Sequence, residues 1–149
     1  MKRLALLAGT AALLGFAASS ANADIITVYV FDFDFSTGHS GDPIVDPTIS
    51  VGDTIHWVWE SQFPHSTTSV AGIPEVWNSG DLTNGATFDH TFTEVGTWWY
   101  YCDLHGFDNG DGTAGGMSGT ITVGVPEPAT IAAMGLGLGL LPLLRRRKK

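Results

Sequence analysis

The sequence predicts an all-β domain, a sandwich or a barrel, over residues 24–124 of the 149-residue chain. Short runs in this range alternate between apolar and polar residues, which is typical of strands with one buried face. Glycine, proline and aspartate separate the runs at regular intervals. No apolar repeat of helical period occurs there, and short strands with regular turn signals are typical of sandwiches and barrels.

We predict one long first strand at residues 25–35, followed by shorter strands. The shorter predicted strands are residues 48–51, 54–59, 67–70, 88–92, 97–102 and 118–123. Because side chains alternate between the two faces of a strand, Ile55, Trp57 and Trp59 share one face. By the same rule Trp98, Tyr100 and Cys102 share a face, which we expect to point into the core.

The first 23 residues resemble a secretory signal peptide. Lys2 and Arg3 precede an apolar run at residues 4–18, and small residues follow at Ala21-Asn22-Ala23. The alternative is a membrane-spanning anchor, but the run is short for one and ends in the cleavage pattern. We therefore predict export.

The last residues, 125–149, form a tail of different composition. A glycine-rich apolar run at residues 131–144 contains Pro142 and is followed by the basic residues 145–149. An ordinary tail anchor is one interpretation. With Pro126-Glu127-Pro128 as signature, however, the tail resembles the PEP-CTERM sorting signal of Gram-negative bacteria. That resemblance implies transient membrane contact, cleavage by an exosortase, and delivery to the periplasm, cell surface or extracellular matrix.

The charge is distributed very unevenly. All seven lysines and arginines lie at the two ends of the chain, whereas residues 24–125 contain 14 acidic side chains and no lysine or arginine, a formal charge of −14. Nothing in this range can neutralise phosphate, which excludes nucleic acid as a natural partner. The charge can serve solubility in a saline habitat, or it can steer a basic partner toward the protein.

The chain contains one cysteine, Cys102, and so cannot form an internal disulfide. A lone thiol in an exported protein can be buried and inert, reactive, or bound to a metal. Its neighbours favour the metal, because His105 follows closely and Met117 lies further along the same connection. A thiolate, imidazoles and a weak thioether are the ligands of blue copper sites, and His65 is the candidate for the second imidazole.

About half of the chain resembles the cupredoxins, and the plastocyanin-like group in particular. The resemblance lies in residues 51–58, Pro64-His65, residues 96–105 with the Cys-x-x-His motif, and residues 116–123 with the methionine. It implies an antiparallel Greek-key β-sandwich with one type 1 copper ion. The metal ligands it implies are His65, Cys102, His105 and Met117. Because the thiolate and both imidazoles must be deprotonated to bind, copper binding should weaken in acid.

The segment before the methionine departs from the plastocyanin pattern. Eleven residues separate His105 from Met117, where that pattern has four. We interpret residues 106–116 as a polar, glycine-rich loop insertion that leaves Gly116-Met117 in place, although Met117 as an ordinary core residue stays open. The segment also resembles a calcium loop faintly, but the required aspartate spacing is not met. We interpret His39, His56 and His90 as ordinary strand or loop residues.

The ligand set favours an electron carrier over an enzyme, because such a site leaves no obvious position for a substrate. Multicopper oxidases need His-x-His pairs, and binuclear copper centres need a second cysteine; the chain has neither. The alternative is a non-redox surface or matrix protein, or a copper-sequestering protein. For the carrier we expect a basic redox partner, such as a c-type cytochrome, which docks near Phe63, Pro64, Leu104 and Phe107 around the edge of His105.

Overall fold

A computed structural model describes residues 22–125 of the chain. The predicted signal peptide, apart from its last two residues, and the predicted sorting tail, apart from Val125, lie outside this part. The described part contains eight strands and no helix. A helix that could cross a membrane is therefore not found among these residues. The strands are β1 (Ile25–Phe31), β2 (Asp34–Ser36), β3 (Thr48–Ser50), β4 (Thr54–Trp59), β5 (Thr68–Ser69), β6 (Thr87–Thr91), β7 (Gly96–Asp108) and β8 (Ala114–Gly124).

The strands form two four-stranded sheets, which confirms the predicted all-β sandwich. The strand orders are β2-β1-β4-β6 and β3-β8-β7-β5. Two pairings, β1 with β4 and β3 with β8, are parallel, and the other pairings are antiparallel. The sheets are therefore mixed, whereas the resemblance implied an antiparallel sandwich. In each parallel pair the two strands are neighbours in the sheet but not in the chain, since other strands lie between them in sequence.

The core lies between the sheets and follows the predicted alternation. Ile55, Trp57 and Trp59 of β4 are fully buried, and so are Tyr100 and Cys102 of β7. The rings of Trp57 and Tyr100 meet edge-on with their centroids 5.9 Å apart. Each large apolar side chain buried in this way contributes about 1.5–3 kcal/mol. The same packing fixes the inward direction of Cys102 at the end of the aromatic run.

The predicted single strand at residues 25–35 is wrong, because the chain turns back in the middle of it. β1 ends at Phe31 and β2 begins at Asp34, and the two strands pair as an antiparallel hairpin. The turn residue Phe33 has a φ of +72°. Such a conformation costs a residue other than glycine about 1–2 kcal/mol. Since no glycine, asparagine or proline marks the turn, the alternating pattern continues through it unbroken.

Glu75 is a buried carboxylate that joins the irregular segment before β6 to the β6–β7 turn. Its oxygens accept hydrogen bonds from the backbone N–H of Thr93 and Glu94, both at 2.6 Å, and from the Thr93 hydroxyl at 3.1 Å. His90 Nε2 lies 3.0 Å away. Burial by itself raises the pKa of Glu75, but these hydrogen bonds together outweigh it and hold the pKa below its ordinary value.

This arrangement predicts an acid-dependent loss of stability. A carboxyl whose pKa is lower in the folded than in the unfolded state stabilises the fold above its unfolded pKa, and the benefit disappears as pH falls through the folded pKa. We therefore expect the free energy of unfolding to fall below about pH 4.5. Glu75→Gln should cost about 1–3 kcal/mol at pH 7 and flatten this dependence. Urea unfolding at several pH values measures both effects. Exposed Glu94→Gln is the control, and an equal loss in both variants would contradict the role of Glu75.

Candidate metal centre

His65 comes from the irregular segment that follows β4. Its backbone forms a two-way bridge with Leu82, with N–O distances of 3.0 and 2.9 Å, and its carbonyl oxygen accepts a hydrogen bond from Trp59 Nε1 at 2.8 Å. The side chain is fully buried. These bonds fix the backbone from which the buried imidazole extends.

Cys102 and His105 lie in a bulge of β7. Tyr101 pairs with Ser118 and Gly106 pairs with Gly116, which leaves four residues on β7 opposite the single residue Met117 on β8. Bulges of this kind bend a strand and redirect its side chains, and they are frequent beside functional sites. Here the bulge turns His105 back toward the sulfur of Cys102.

The three predicted donors converge on one point. His65 Nδ1 lies 3.0 Å from His105 Nδ1, and Cys102 Sγ lies 3.6 Å from the first and 3.4 Å from the second nitrogen. Ions such as zinc bind nitrogen at about 2.0 Å and sulfur at about 2.3 Å, so a triangle of this size can surround one ion. Two imidazole nitrogens this close share at most one hydrogen, so at least one of them presents a lone pair. One soft thiolate and two imidazoles are a donor set that suits copper.

Met117 is buried in the same core cluster as Cys102 and lies opposite the bulge. This position is compatible with a thioether that approaches the three donors from one side. Its role as axial ligand stays a prediction.

Ser66 supports the sulfur and joins its segment to β7. The N–H of Ser66 points at Cys102 Sγ, with N and S 3.4 Å apart, and the Ser66 hydroxyl oxygen accepts a hydrogen bond from the N–H of Asp103 at 2.8 Å. An N–H donor stabilises negative charge on a thiolate, and such outer contacts fix the direction of a ligand. The segment that carries His65 and the strand that carries Cys102 are thereby held together at the site.

The environment keeps His65 neutral. Burial lowers the pKa of His65, and the neighbouring His105 lowers it further, while Asp32 acts in the opposite direction. A neutral imidazole has a free lone pair, which is the form that binds a metal.

The remaining histidines lie apart from this cluster. Among the described residues, the cluster that can hold a metal ion through histidine, cysteine or carboxylate atoms consists of His65, Cys102 and His105. The other histidines each contact a carboxylate: His39 that of Glu60, His56 that of Asp89, and His90 that of Glu75.

The β1–β2 turn contributes two residues to the site that were not predicted from the sequence. The Phe33 ring meets His105 and His65 edge-on, with centroid distances of 5.1 and 6.0 Å. Asp32 of the same turn accepts a hydrogen bond from the hydroxyl of Ser61, which in turn lies 2.8 Å from His65 Nε2. No sequence signal could place these residues at the site, because the turn itself has no sequence mark.

The axial position gives a direct prediction. Met117→Leu should leave copper bound but raise the reduction potential, because loss of a weak thioether donor disfavours Cu(II). Voltammetry of the copper-loaded variant measures the potential, and metal analysis measures the occupancy. Ile121→Leu, a conservative change on the same face of β8, should leave the potential unchanged. A potential and spectrum equal to wild type would mean that Met117 is not a ligand.

The chain is similar in sequence to amicyanin and plastocyanin, and in fold to amicyanin. No family model matches the chain. It is 36% identical to amicyanin from Paracoccus denitrificans over 64 residues, which are 42% of the chain and about half, 49%, of that relative. It is 30% identical to plastocyanin from Scenedesmus fuscus over 95 residues, which are 56% of the chain and 90% of that relative. The solved structure of a reduced amicyanin variant matches with a TM-score of 0.50 and 25% identity, over 73% of this chain and 90% of that one.

Proposed function

The chain belongs to the cupredoxin family of copper proteins, and we propose that it is an exported carrier of single electrons between protein partners. The ligands in this proposal are His65, Cys102, His105 and Met117. The observation that carries it is the convergence of one sulfur and two imidazole nitrogens within hydrogen-bond distance of one another. Bound copper supplies a one-electron couple between Cu(I) and Cu(II), and the protein supplies the positions of the donors.

The burial of the donors suits a carrier. His65 and Cys102 are fully buried, so water has no access to the metal from their side. His105 is half-buried and is the one of these three donor residues that is not fully buried. We propose that electrons enter and leave through this ring, since it is the shortest route from the site to a docked partner.

The surface at this end of the molecule supports a protein partner. Phe33, Phe63, Leu104 and Phe107 each expose about half of their surface. The sequence analysis named the last three, and Phe33 joins them through its contacts with Phe63 and His105. An apolar patch gives the short-range contact, while the acidic side chains over the rest of the domain accelerate the approach of a basic protein. The proposed partner is therefore a basic redox protein, such as a basic c-type cytochrome.

The salt dependence of electron transfer tests this proposal. Stopped-flow reduction of the copper protein by a basic c-type cytochrome should slow markedly as ionic strength rises from about 0.01 to 0.5 M, because the screening length falls from about 30 Å to below 10 Å. With an acidic cytochrome of similar potential the rate should stay nearly constant or increase. A rate with the basic partner that is independent of salt would assign the negative charge to solubility alone.

The same stopped-flow experiment distinguishes an electron carrier from a protein that only sequesters copper. A carrier is reduced and reoxidised repeatedly without loss of metal, whereas a sequestering protein need not exchange electrons with any partner. Export and removal of the signal peptide and sorting tail belong to the proposal and rest on the sequence of the two chain ends.

A further inference from the structure

Ser61 links one candidate ligand to a carboxylate on another part of the chain. It lies between β4 and His65 and is almost completely buried. Its Oγ contacts three polar groups: the carboxylate of Asp32, the backbone N–H of Phe63 at 3.0 Å, and Nε2 of His65 at 2.8 Å. These groups determine the direction of every hydrogen bond at this oxygen.

A carboxylate can only accept, so the Ser61 hydroxyl donates its hydrogen to Asp32. The oxygen of Ser61 then accepts from the N–H of Phe63, and its remaining lone pair accepts from Nε2–H of His65. Consequently His65 carries its hydrogen on Nε2, and its Nδ1 presents a lone pair to Cys102 and His105. This is the tautomer that a metal bound at Nδ1 requires.

The β1–β2 turn places the carboxylate. Asp32 Oδ1 lies 4.0 Å from His65 Nε2, and about half of the Asp32 side chain remains exposed. The next residue is Phe33, with its φ of +72°. Unusual backbone conformations persist where the surrounding contacts compensate their cost, and they are frequent at functional sites. Here the turn directs both of its central residues toward the candidate metal centre.

We propose that Asp32 and Ser61 form a relay that positions His65, selects its Nε2–H tautomer and tunes the bound metal. The hydroxyl holds the ring, and the negative charge of Asp32 makes the imidazole a stronger donor, which favours Cu(II) and lowers the reduction potential. The part that concerns the potential rests on the proposed function. The part that concerns the tautomer holds for the metal-free protein as well.

Three variants of the full chain separate these effects. Ser61→Ala removes the acceptor of Nε2–H, so the single tautomer of His65 in the metal-free protein should give way to a mixture, and copper affinity should fall about 10–100-fold. Ser61→Thr keeps the hydroxyl and should retain both the single tautomer of His65 and the copper affinity. Asp32→Asn removes the charge but retains an acceptor, so it should preserve the tautomer and raise the reduction potential.

The test combines imidazole ¹⁵N NMR of the metal-free protein, which reports the tautomer, with voltammetry of the copper-loaded protein. Asp34→Asn is the matched control, because it removes the same charge from the same hairpin without a contact to His65, and it should change neither the tautomer nor the potential.

A Ser61→Ala protein that keeps the single tautomer would overturn the relay. Equal potential shifts in the Asp32 and Asp34 variants would overturn the tuning. A wild-type protein that binds no copper would contradict the proposed function, and the NMR result would then decide on the tautomer by itself.

Discussion

Cys102→Ser should abolish the intense visible absorption of the copper-loaded protein. That absorption arises from charge transfer between a thiolate and Cu(II), and no other cysteine in the chain can replace this sulfur. A serine hydroxyl is a poor substitute for a soft thiolate. The side chain is fully buried between His65 and His105, so the change removes the donor at the centre of the site.

The measurement compares visible spectra of wild type and variant after addition of equal copper. Serine is close to cysteine in size, and Ser66 N–H can donate to its oxygen, so the far-ultraviolet circular dichroism should remain that of the same β-sandwich. A variant that folds and keeps the absorption would show that Cys102 is not a ligand. Thr120→Ser, a conservative change of a partly exposed residue on β8, should retain the full absorption.

Gly116→Ala should produce the second large effect, a strong loss of stability together with loss of the metal site. Gly116 has a φ of +72°, and a Cβ there would lie 2.6 Å from the carbonyl oxygen of His105 and 2.9 Å from Cα of Gly106. The backbones of β7 and β8 thus meet closely where the bulge ends. A side chain must force them apart, which displaces His105, and we expect a loss of about 2–5 kcal/mol in the free energy of unfolding.

Gly110→Ala supplies a matched control. Gly110 lies in the turn of the same hairpin with a φ of +77°, but a Cβ there meets no atom within 4 Å. It should therefore cost about 1–2 kcal/mol from the backbone conformation alone and leave copper binding unchanged. Urea unfolding and copper titration of both variants test the comparison. Equal effects would mean that the close approach of β7 and β8 does not support the site.

The candidate site was more predictable from the sequence than its surroundings. Cys102, His105 and His65 were identifiable because the chain has a single cysteine and because the ligand types occur in the order, and with the flanking residues, of the cupredoxins. The alternation of Ile55, Trp57 and Trp59 likewise identified the core face of β4. Both signals depend on residue type and period, which are local properties of the sequence.

The connection between β7 and β8 shows where local signals fail. The prediction of a loop at residues 106–116 is wrong for most of the segment. Residues 106–108 pair with residues 114–116, and only the tip lies outside the strands. Glycine and aspartate are unfavourable in strands in general. Here glycine is required because the backbones approach closely, and Asp108 accepts a hydrogen bond from Ala71 N at 2.7 Å. Both reasons depend on how the folded chain brings residues together, which the residue types in this segment do not reveal.

The most direct test of the central claim is a titration of the metal-free protein with Cu(II), followed by visible spectroscopy. The convergence of Cys102, His65 and His105 predicts an intense band near the red end of the spectrum that saturates at one copper per chain. A protein that stays colourless with stoichiometric copper would contradict the type 1 site, and with it the proposed electron carrier.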